Sequence, residues 1–391
     1  MNATDTLSSL SNVDRRTFGD DESTRMQALS EARALVARLE KPWESVDRMV
    51  WSQPTLMLTV KTASDMGIFA ALTSSPQNSE QLGNATGADP ILVSRLLRML
   101  AVGFVIQEVD VDTYIASEFS NALGDGQGIV NGIHHFYDVG VQQMAALPAY
   151  LQKTGYRNPT DTAHPPFEDI MGMSSYWDWF EANPKAHAHF NTFLSSIRVG
   201  QPPWPSYYPL SQLLEAYDGA GALCVDVGGG KGRDLKHMAD AIGDQHRECV
   251  LVLQDLPSVI KAAEKESLPS QIQLIAHNFF DVQPCKGARA YFLHSILHDW
   301  PDVEACKILT QLKQAGRPGY SKIVLLEAVM PERVKDVKPR MAALDINMMA
   351  HFSALERTEK QWRRLLDSVG LRWVKFWELK GSSQGVIEVE M

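Results

Sequence analysis

The segment Asp-Val-Gly-Gly-Gly-Lys-Gly at residues 226–232 is the clearest sign of a ligand-binding loop in the sequence. It directly follows a predicted strand and opens a predicted helix. Glycine lets the backbone turn sharply and lets a ligand approach with no Cβ in the way. A Walker A loop would need Ser or Thr where Gly232 stands, and a dinucleotide fingerprint starting at Gly228 would need glycine in place of Arg233. The pattern that remains is acid-x-Gly-x-Gly-x-Gly.

This remaining pattern is the one associated with S-adenosylmethionine (SAM), whose ammonium group suits the acid Asp226 at the strand end. A second acid supports the same interpretation. Asp255 ends the next predicted strand, where a carboxylate can accept hydrogen bonds from both hydroxyls of a ribose. A glycine-rich tight turn without a ligand is the alternative, but the combination of loop, strand and second acid favours a cofactor site.

A histidine and two carboxylates further along the chain could carry the chemistry. His298 lies just beyond a predicted strand, where ligands bind in open α/β sheets, and histidine titrates near neutrality, as a general base should. A helix-capping or surface role is the alternative for His298 alone. Glu327 sits inside an apolar strand, where an unpaired charge is costly and therefore predicts a partner. Glu356 precedes a helix and is a better candidate than Glu359, which fits a helix cap.

The second half of the chain alternates strand-like and helical segments. The predicted strands are 223–227, 249–254, 272–276, 288–293 and 322–329, and a terminal hairpin can follow them. The predicted helices are 231–242, 257–266, 302–316 and 358–369. This alternation predicts an α/β fold, a doubly wound parallel sheet with helices on both faces, for a SAM-binding domain at residues 210–391.

The first half of the chain is predicted to be mostly helical. Residues 1–25 lack apolar periodicity and are expected to form a loose tail, with helical periodicity starting at Met26. Residues 26–124 are predicted to form a winged-helix-like dimerisation domain, because two helices are followed there by two strand-like runs. Residues 125–209 are predicted to be a helical linker and substrate-pocket segment.

Charge and composition exclude several classes of protein. Residues 79–116 carry two basic side chains against five acidic ones, whereas a DNA-recognition helix needs positive charge. The 391-residue chain has a net charge of −10, which also argues against binding to nucleic acid or anionic membranes. No apolar run approaches the ~20 residues that span a bilayer. The polar N-terminus and four scattered cysteines predict a cytoplasmic location without disulfides and without a metal site.

Taken together, these motifs resemble the plant- and fungal-type SAM-dependent O-methyltransferases. The resemblance rests on the segments DVGGGKG, DLP, NFFD, LHDWPD, a strand ending in Glu, and ERTE in that order, and it covers nearly the whole chain. It implies a homodimer formed through the winged-helix region. It also implies that His298 deprotonates a substrate hydroxyl while Glu327 and Glu356 flank it. The cofactor residues that it implies are Asp226, Gly228, Gly230, Asp255, Leu256, Asn278, Phe279 and His294.

Three positions depart from the family pattern. Asn278 stands where the family often has Asp, His294 where it commonly has Arg or Lys, and Leu194 where it usually has Met beside the substrate. Further candidates for the substrate pocket are His134, His135, Arg198, Asp299, Met348, Met349 and Phe352. Core packing or surface hydrogen bonding is the alternative role for most of them.

The expected function is O-methylation of a hydroxyl on an aromatic or polyketide-type small molecule of secondary metabolism. The alternative comes from fungal relatives with the same fold, the O-methyltransferase-like pericyclases and dehydratases, which bind SAM without transferring its methyl group. In those relatives the general-base histidine tends to be replaced, often by a cationic residue. The presence of His298, Glu327 and Glu356 therefore favours methylation.

Overall fold

The chain divides into two compact units, Met1–His134 and His135–Met391. The computed structural model describes residue 10 and residues 12–72, 75–124, 128–173, 175–197, 201–379 and 384–391. Each unit has an apolar core of its own.

The first unit is mainly helical. Its helices are α1 (Glu22–Leu39), α2 (Pro42–Asp47), α3 (Gln53–Asp65), α4 (Ile68–Ala71), α5 (Ser79–Thr86), α6 (Pro90–Val102), α7 (Glu118–Gly124) and most of α8 (Ile129–His135). A 3-10 turn (Arg15–Phe18) precedes α1, and a π-helical turn (Arg48–Ser52) joins α2 to α3. Helix α1 begins at Glu22 rather than at Met26, because the Asp21 carboxylate accepts a capping hydrogen bond from the Thr24 backbone N–H at 3.0 Å.

Helices α5 and α6 and a small antiparallel sheet form the predicted winged-helix arrangement. The strands are β1 (Gln77–Asn78), β2 (Ile106–Asp110) and β3 (Thr113–Ala116), in the order β1–β3–β2. Asp89 caps α6, and the Asp112 carboxylate accepts a hydrogen bond from Ser79 Oγ at 2.6 Å. Acidic side chains that disfavour DNA binding therefore stabilise this fold locally.

The second unit begins with helices and a π-helical turn (Phe136–Gly140). The helices are α9 (Val141–Lys153), α10 (Pro166–Met171), α11 (Tyr176–Ala182), α12 (Pro184–Ile197) and α13 (Ser211–Leu214), with a 3-10 turn at Trp204–Ser206. Phe167 and Phe180 are fully buried in an aromatic core of this segment. Helices therefore make up much of the described part of residues 128–197.

A seven-stranded sheet forms the rest of the second unit. Its strands are β4 (Cys224–Val227), β5 (Leu251–Asp255), β6 (Ile272–Ala276), β7 (Ala290–His294), β8 (Lys322–Ala328), β9 (Arg372–Glu378) and β10 (Gln384–Glu390). The order is β6–β5–β4–β7–β8–β10–β9; β10 pairs antiparallel with β8 and β9, and the first five strands of this order pair in parallel. The accompanying helices are α14 (Arg233–Ile242), α15 (Pro257–Ala263), α16 (Asp302–Ala315), α17 (Pro339–Phe352) and α18 (Glu359–Ser368). The predicted doubly wound α/β fold is confirmed.

Alternate residues of the central strands face two different cores. Val225 and Leu325 pack in the core that includes α16 and α18, whereas Cys224 and Val324 pack in the one that includes α14 and α15. Burial on both faces explains why these strands are continuous apolar runs. Because parallel strands end at the same edge of a sheet, the residues that follow them come together there.

Two expectations about the rest of the chain can be compared with the structure. All four cysteines are described, and none forms a disulfide. Among the described residues, no helix combines the length and the apolar character needed to cross a bilayer.

Candidate active site

The carboxyl edge of the parallel sheet brings together the predicted cofactor residues of three strands. Asp226 of β4 pairs in register with Phe292 of β7, so His294, two residues further along, points to the same face of the sheet as Asp226. Asp255 is the last residue of β5, the other neighbour of β4. Residues that are distant in sequence therefore surround the glycine-rich loop.

Asp226 lies buried beneath this loop. Neither of its carboxylate oxygens has a hydrogen-bond partner within the described part of the chain. Burial raises the pKa of this carboxyl well above its ordinary range, and the negative charges of Asp234 and Asp255 raise it further. A Cβ added to Gly229 would lie 2.4 Å from Asp226 Oδ2, so only glycine fits there. A buried carboxylate without a donor is costly, and it fits a ligand that brings a positively charged group.

The other loop glycines leave room for a ligand. Gly228 and Gly230 have φ angles of +74° and +59°, which favour glycine. A Cβ on Gly228 would collide with Ile296 Cδ1 at 2.7 Å and would lie in ordinary contact with Phe279 Cε1 at 3.7 Å. A Cβ on Gly230 would have no atom within 4 Å. Gly230 therefore faces open space, and the predicted cofactor residue Phe279 borders the same loop.

Asp255 and its neighbours complete the candidate cofactor site. Asp255 Oδ2 accepts a hydrogen bond from the Gly230 backbone N–H at 2.8 Å, and Asp255 Oδ1 accepts one from the Leu256 N–H at 2.7 Å. The Leu256 side chain is exposed, and Asn278 Oδ1 accepts a hydrogen bond from the Phe280 N–H. These residues fit the parts of SAM. Asp255 at the strand end suits the ribose, and the exposed Leu256 suits the adenine. Gly230 and the buried Asp226, which has no donor among the described residues, suit the amino-acid group.

Glu327 positions the turn that carries His298. This 3-10 turn, Leu297–Asp299, follows β7 closely. Glu327 is fully buried in β8, and its Oε1 accepts hydrogen bonds from the backbone N–H groups of Ile296 at 3.0 Å and Leu297 at 2.8 Å. The partner that a charge inside an apolar strand requires is therefore the backbone before His298.

Arg357 holds the same turn from the other side. Its buried guanidinium donates hydrogen bonds to the carbonyl oxygens of Leu297 at 2.8 Å and Trp300 at 2.7 Å, and to Asp302 Oδ1 at 2.9 Å. Because Arg357 directly follows Glu356, one short segment both supports the turn and supplies a partner for its histidine.

His298 is held through both ring nitrogens. Nδ1 lies 2.9 Å from Glu356 Oε1, and Nε2 lies 3.4 Å from Asp299 Oδ1. Burial favours the neutral imidazole, but the charges of Asp299, Glu356 and Glu327 outweigh it and raise the pKa of His298 to about 10. Burial also raises the pKa of Asp299, to about 7. These charges favour the imidazolium form of His298 in this arrangement.

Tyr176 of α11 connects an aromatic cluster to this histidine site. Burial raises the pKa of Tyr176 well above its ordinary range, and the nearby charge of Asp299 adds to the effect. The Tyr176 hydroxyl is 3.5 Å from Nε2 of His135, and its ring packs edge-on against Phe352, with ring centroids 4.9 Å apart. Two predicted pocket residues, His135 and Phe352, therefore meet at Tyr176.

The remaining pocket candidates fall in different places. Leu194 is half-buried on α12, whose Phe190 ring lies 4.9 Å from that of His135. Met348 is buried on α17, and Met349 of the same helix lines a cavity of about 260 Å³ together with Glu356. Their contact with a substrate stays a prediction.

The contact of His134 and Arg198 with a substrate also stays a prediction. His134 belongs to the first unit, where its Nε2 lies 3.0 Å from Ser64 Oγ and its Nδ1 lies 3.6 Å from Asp65. Arg198 lies outside the residues that the structure describes.

Comparison with known proteins identifies the family. Residues 156–372 match the O-methyltransferase domain. O-methyltransferase mfmE of Annulohypoxylon moriforme is 33% identical over 98% of this chain and 95% of its own length. O-methyltransferase mpaG' of Penicillium brevicompactum is 33% identical over 96% of this chain and 95% of its own length. The chain belongs to the O-methyltransferase family.

Solved structures agree with this assignment at the level of the fold. LepI in complex with SAM has a TM-score of 0.88 at 28% identity, with 99% of each chain covered. A structure described as a pericyclic reaction enzyme has a TM-score of 0.87 at 28% identity and the same coverage. OxaC in complex with SAH and oxaline has a TM-score of 0.84 at 22% identity, covering 99% of this chain and 96% of OxaC, which shows the shared fold alone.

Three residues of this O-methyltransferase site were not singled out by the sequence patterns. Tyr176 carries no local signal, because its role depends on distant elements. Arg357 stands inside the ERTE segment, but only the carboxylates there suggest chemistry. Asp234 follows the last loop glycine closely and lies 2.7 Å from Nδ1 of His294. The sequence signal that could have identified Asp234 was an acid in the first turn of α14, directly after the glycine-rich loop.

Proposed function

We propose that this protein transfers a methyl group from SAM to a hydroxyl of an aromatic or polyketide-type small molecule, with His298 as the general base. The observation that carries the proposal is the pairing of His298 Nδ1 with Glu356 at the same sheet edge as the glycine-rich loop. A phenol of pKa ≈ 10 is a poor nucleophile at neutral pH, and a positioned base typically contributes ~10²–10⁴-fold.

The side chains around His298 have distinct tasks in this reaction. Glu356 accepts a hydrogen bond from Nδ1–H of His298, and Nε2 is thereby left for the substrate hydroxyl. Glu327 fixes the turn, and Asp299 occupies Nε2 when no substrate is bound. When bound, SAM supplies an electrophilic methyl group on a sulfonium cation, whose positive charge also opposes the imidazolium form of His298. The substrate hydroxyl would give its proton to Nε2 and gain the methyl group, whose bond to sulfur would break with release of S-adenosylhomocysteine.

The aromatic cluster around Tyr176 supports a flat, apolar acceptor. His135, Phe190 and Phe352 surround the tyrosine, and the polar atoms there include its hydroxyl and the rings of His135 and His351. Such a wall suits an aromatic ring system with a small number of oxygen substituents.

A second candidate function is a pericyclic or dehydration reaction without methyl transfer. The observation that favours it is the raised pKa of His298, because an imidazolium can donate a hydrogen bond to a carbonyl and polarise it. The similar structure described as a pericyclic reaction enzyme makes this chemistry relevant to the fold.

Mass spectrometry separates the two candidates. Purified protein is incubated with SAM and a metabolite extract from a host that lacks this gene. A product heavier by one methylene, formed together with S-adenosylhomocysteine (SAH), supports methyl transfer. A product that is isomeric or has lost water, with SAM unconsumed, contradicts it and assigns the pericyclic or dehydration reaction.

We propose that the protein is a homodimer formed through its first unit. Large apolar side chains on and between the first helices are exposed to solvent there. Exposure of several such side chains to water is unfavourable and is typical of a protein–protein interface. They are Leu39, Trp43, Met49, Val50 and Trp51. The occupant that we propose for this surface is a second copy of the same chain.

We also propose a cytoplasmic location. Cys224 and Cys249 are buried as free thiols, and burial raises the pKa of both, which keeps them unreactive in a reducing compartment. Imaging of a fluorescently tagged protein in its host tests this location, and enrichment in a secretory organelle would contradict it.

A further inference from the structure

We infer that Asp345 of α17 is a positioning residue that holds the backbone of Glu356, so that the Glu356 carboxylate stays on Nδ1 of His298. The catalytic use of this arrangement rests on the proposed function. The hydrogen bond that carries the inference joins residues that are 11 positions apart in the chain.

The contact between Asp345 and Glu356 is a short hydrogen bond to a backbone group. Asp345 Oδ1 accepts it from the Glu356 backbone N–H at 2.8 Å. Glu356 Oε1 in turn lies 2.9 Å from Nδ1 of His298, and the Glu356 side chain is 1% exposed. A hydrogen bond to a carboxylate is roughly twice as strong as one between neutral groups. Asp345 therefore holds the residue whose side chain holds the histidine.

The end of α17 brings Asp345 and Glu356 together. Ser353 follows this helix in the left-handed conformation, with a φ angle of +56°, which is uncommon for residues other than glycine. Ser353 is buried, and its Oγ donates a hydrogen bond to the Asp161 carbonyl oxygen at 2.9 Å. The chain therefore reverses after Phe352 and returns along the helix, so that the Glu356 N–H reaches Asp345.

The packing around Glu356 leaves room for this residue to move. Asp345, Met349 and Glu356 line the same cavity of about 260 Å³. The second carboxylate oxygen of Glu356, Oε2, has no hydrogen-bond partner among the described residues. The next residue is held by its backbone, because the Arg357 carbonyl oxygen accepts a hydrogen bond from the Met330 N–H at 2.8 Å. Without Asp345, the Glu356 backbone would lose its own anchor beside this space.

The charges around His298 make the position of Glu356 measurable. Burial favours the neutral imidazole, but neighbouring acids outweigh it and raise the pKa of His298 to about 10. The titratable and charged groups near the ring and its turn are Asp299 of the turn, Glu327 of β8, Glu356, Arg357 and, near Asp299, Tyr176 of α11. If Glu356 moves away, the imidazolium loses a hydrogen bond and a nearby negative charge, so the pKa of His298 falls.

NMR titration of the full chain, labelled with carbon-13 at Cε1 of histidine, tests the inference without cofactor or acceptor. The spectrum of His298→Ala assigns the His298 signal. Asp345→Ala is expected to lower the pKa of His298 by about one pH unit or more, the range for losing a neighbouring opposite charge. Asp345→Asn keeps an acceptor oxygen for the Glu356 N–H and should titrate close to the wild type. Asp367→Ala, the same change at an exposed position of α18, is the matched control.

A double replacement shows whether Asp345 acts through Glu356. Asp345→Ala added to Glu356→Gln should cause no further fall in the pKa of His298, because the carboxylate that Asp345 positions is already absent. Additive effects, or equal falls in Asp345→Asn and Asp345→Ala, would contradict the positioning role, since the charge of Asp345 would then act on His298 directly. An unchanged pKa in Asp345→Ala would overturn the inference.

Calorimetric titration with SAH checks the fold of each variant, and the variants of Asp345 are expected to bind SAH as tightly as the wild type. If Asp345→Ala does not fold, Asp345→Ser also removes the carboxylate and should lower the pKa of His298 in the same way. An unchanged pKa in that variant would equally overturn the inference. Methyl transfer is measured separately, so its absence would contradict the proposed function alone.

Discussion

His298 is the residue on which the proposed reaction depends, and its immediate neighbours set the pH at which it can work. Glu356 and Asp299 hold opposite edges of the ring, while Glu327 acts through the backbone that precedes it. Three acids around one histidine raise its pKa to about 10, which stabilises the imidazolium rather than the base. In the proposed reaction, substrate and cofactor therefore have to lower this pKa before His298 acts as the base.

Replacement of His298 separates chemistry from cofactor binding. His298→Ala is expected to lower kcat ~10²–10⁴-fold, because the base is lost, while SAH affinity stays within ~3-fold. Steady-state turnover and calorimetric SAH titration measure the two effects. His164→Ala, at an exposed ring in the same unit, is the control and should retain wild-type turnover. Full product formation by His298→Ala would contradict the assignment of His298 as the general base.

Replacement of Asp299 changes the pH dependence. Its negative charge raises the pKa of His298, so Asp299→Asn lowers that pKa. Because the neutral ring is the active base, the rising limb of kcat/KM against pH should move to lower pH. At a fixed pH below the pKa of His298, kcat/KM should rise about tenfold for each unit by which that pKa falls. Asp336→Asn, an exposed acid in the same unit, should leave the profile unchanged. A profile identical to the wild type in Asp299→Asn would contradict the role of this charge.

At the scale of elements, the site is assembled from strand ends and the short turns that follow them. The loop after β4 is shaped by glycines, and the turn after β7 is tied to β8 by Glu327 and to the segment before α18 by Arg357. Their geometry depends on buried side chains from elements that are distant in sequence.

Replacement of Glu327 tests this dependence. Glu327→Leu leaves the buried N–H groups of Ile296 and Leu297 without an acceptor, at a cost of about 1–3 kcal/mol each. Glu327→Gln keeps an acceptor oxygen and is the matched control. Urea denaturation should therefore show a free energy of unfolding at least ~2 kcal/mol lower for the leucine variant than for the glutamine variant. Equal stability of the two would mean that Glu327 does not hold the turn.

At the scale of the whole molecule, the two units differ in what they expose. The second unit buries its apolar strands on both faces of the large sheet. In the first unit, Trp43 and Trp51 are 70% and 68% exposed. This contrast is the basis of the proposed homodimer.

Charged substitutions on this surface should disrupt the dimer. Light scattering is expected to give the mass of two chains for the wild type and of one chain for Trp43→Glu/Trp51→Glu, because burying two carboxylates in an apolar interface is costly. Val334→Glu, at an 88% exposed residue of the second unit, is the control and should remain dimeric. A wild-type mass of one chain would contradict the proposal.

Much of the fold could be predicted because its signals are local. Apolar runs, helix caps and glycines report on their own few residues, and the large sheet follows from their alternation. The start of α1 differs from the prediction since Asp21 caps it before the apolar periodicity begins. In the candidate site, residues with a motif around them, such as Asp226 and His298, could be named. Tyr176 could not, because nothing near it in sequence reveals its contact with His135.

The sequence by itself determined the α/β class, the order of the strands along the chain, the glycine-rich loop and the types of side chain available for catalysis. Only the tertiary structure decided which of those side chains meet. It paired His298 with Glu356 and Asp299, and His294 with Asp234, while it placed His134 beside Ser64 in the first unit. The physical reason is that a pKa or a hydrogen bond depends on distances of a few ångströms in space. Parallel strands produce such distances between residues that are tens of positions apart in the chain.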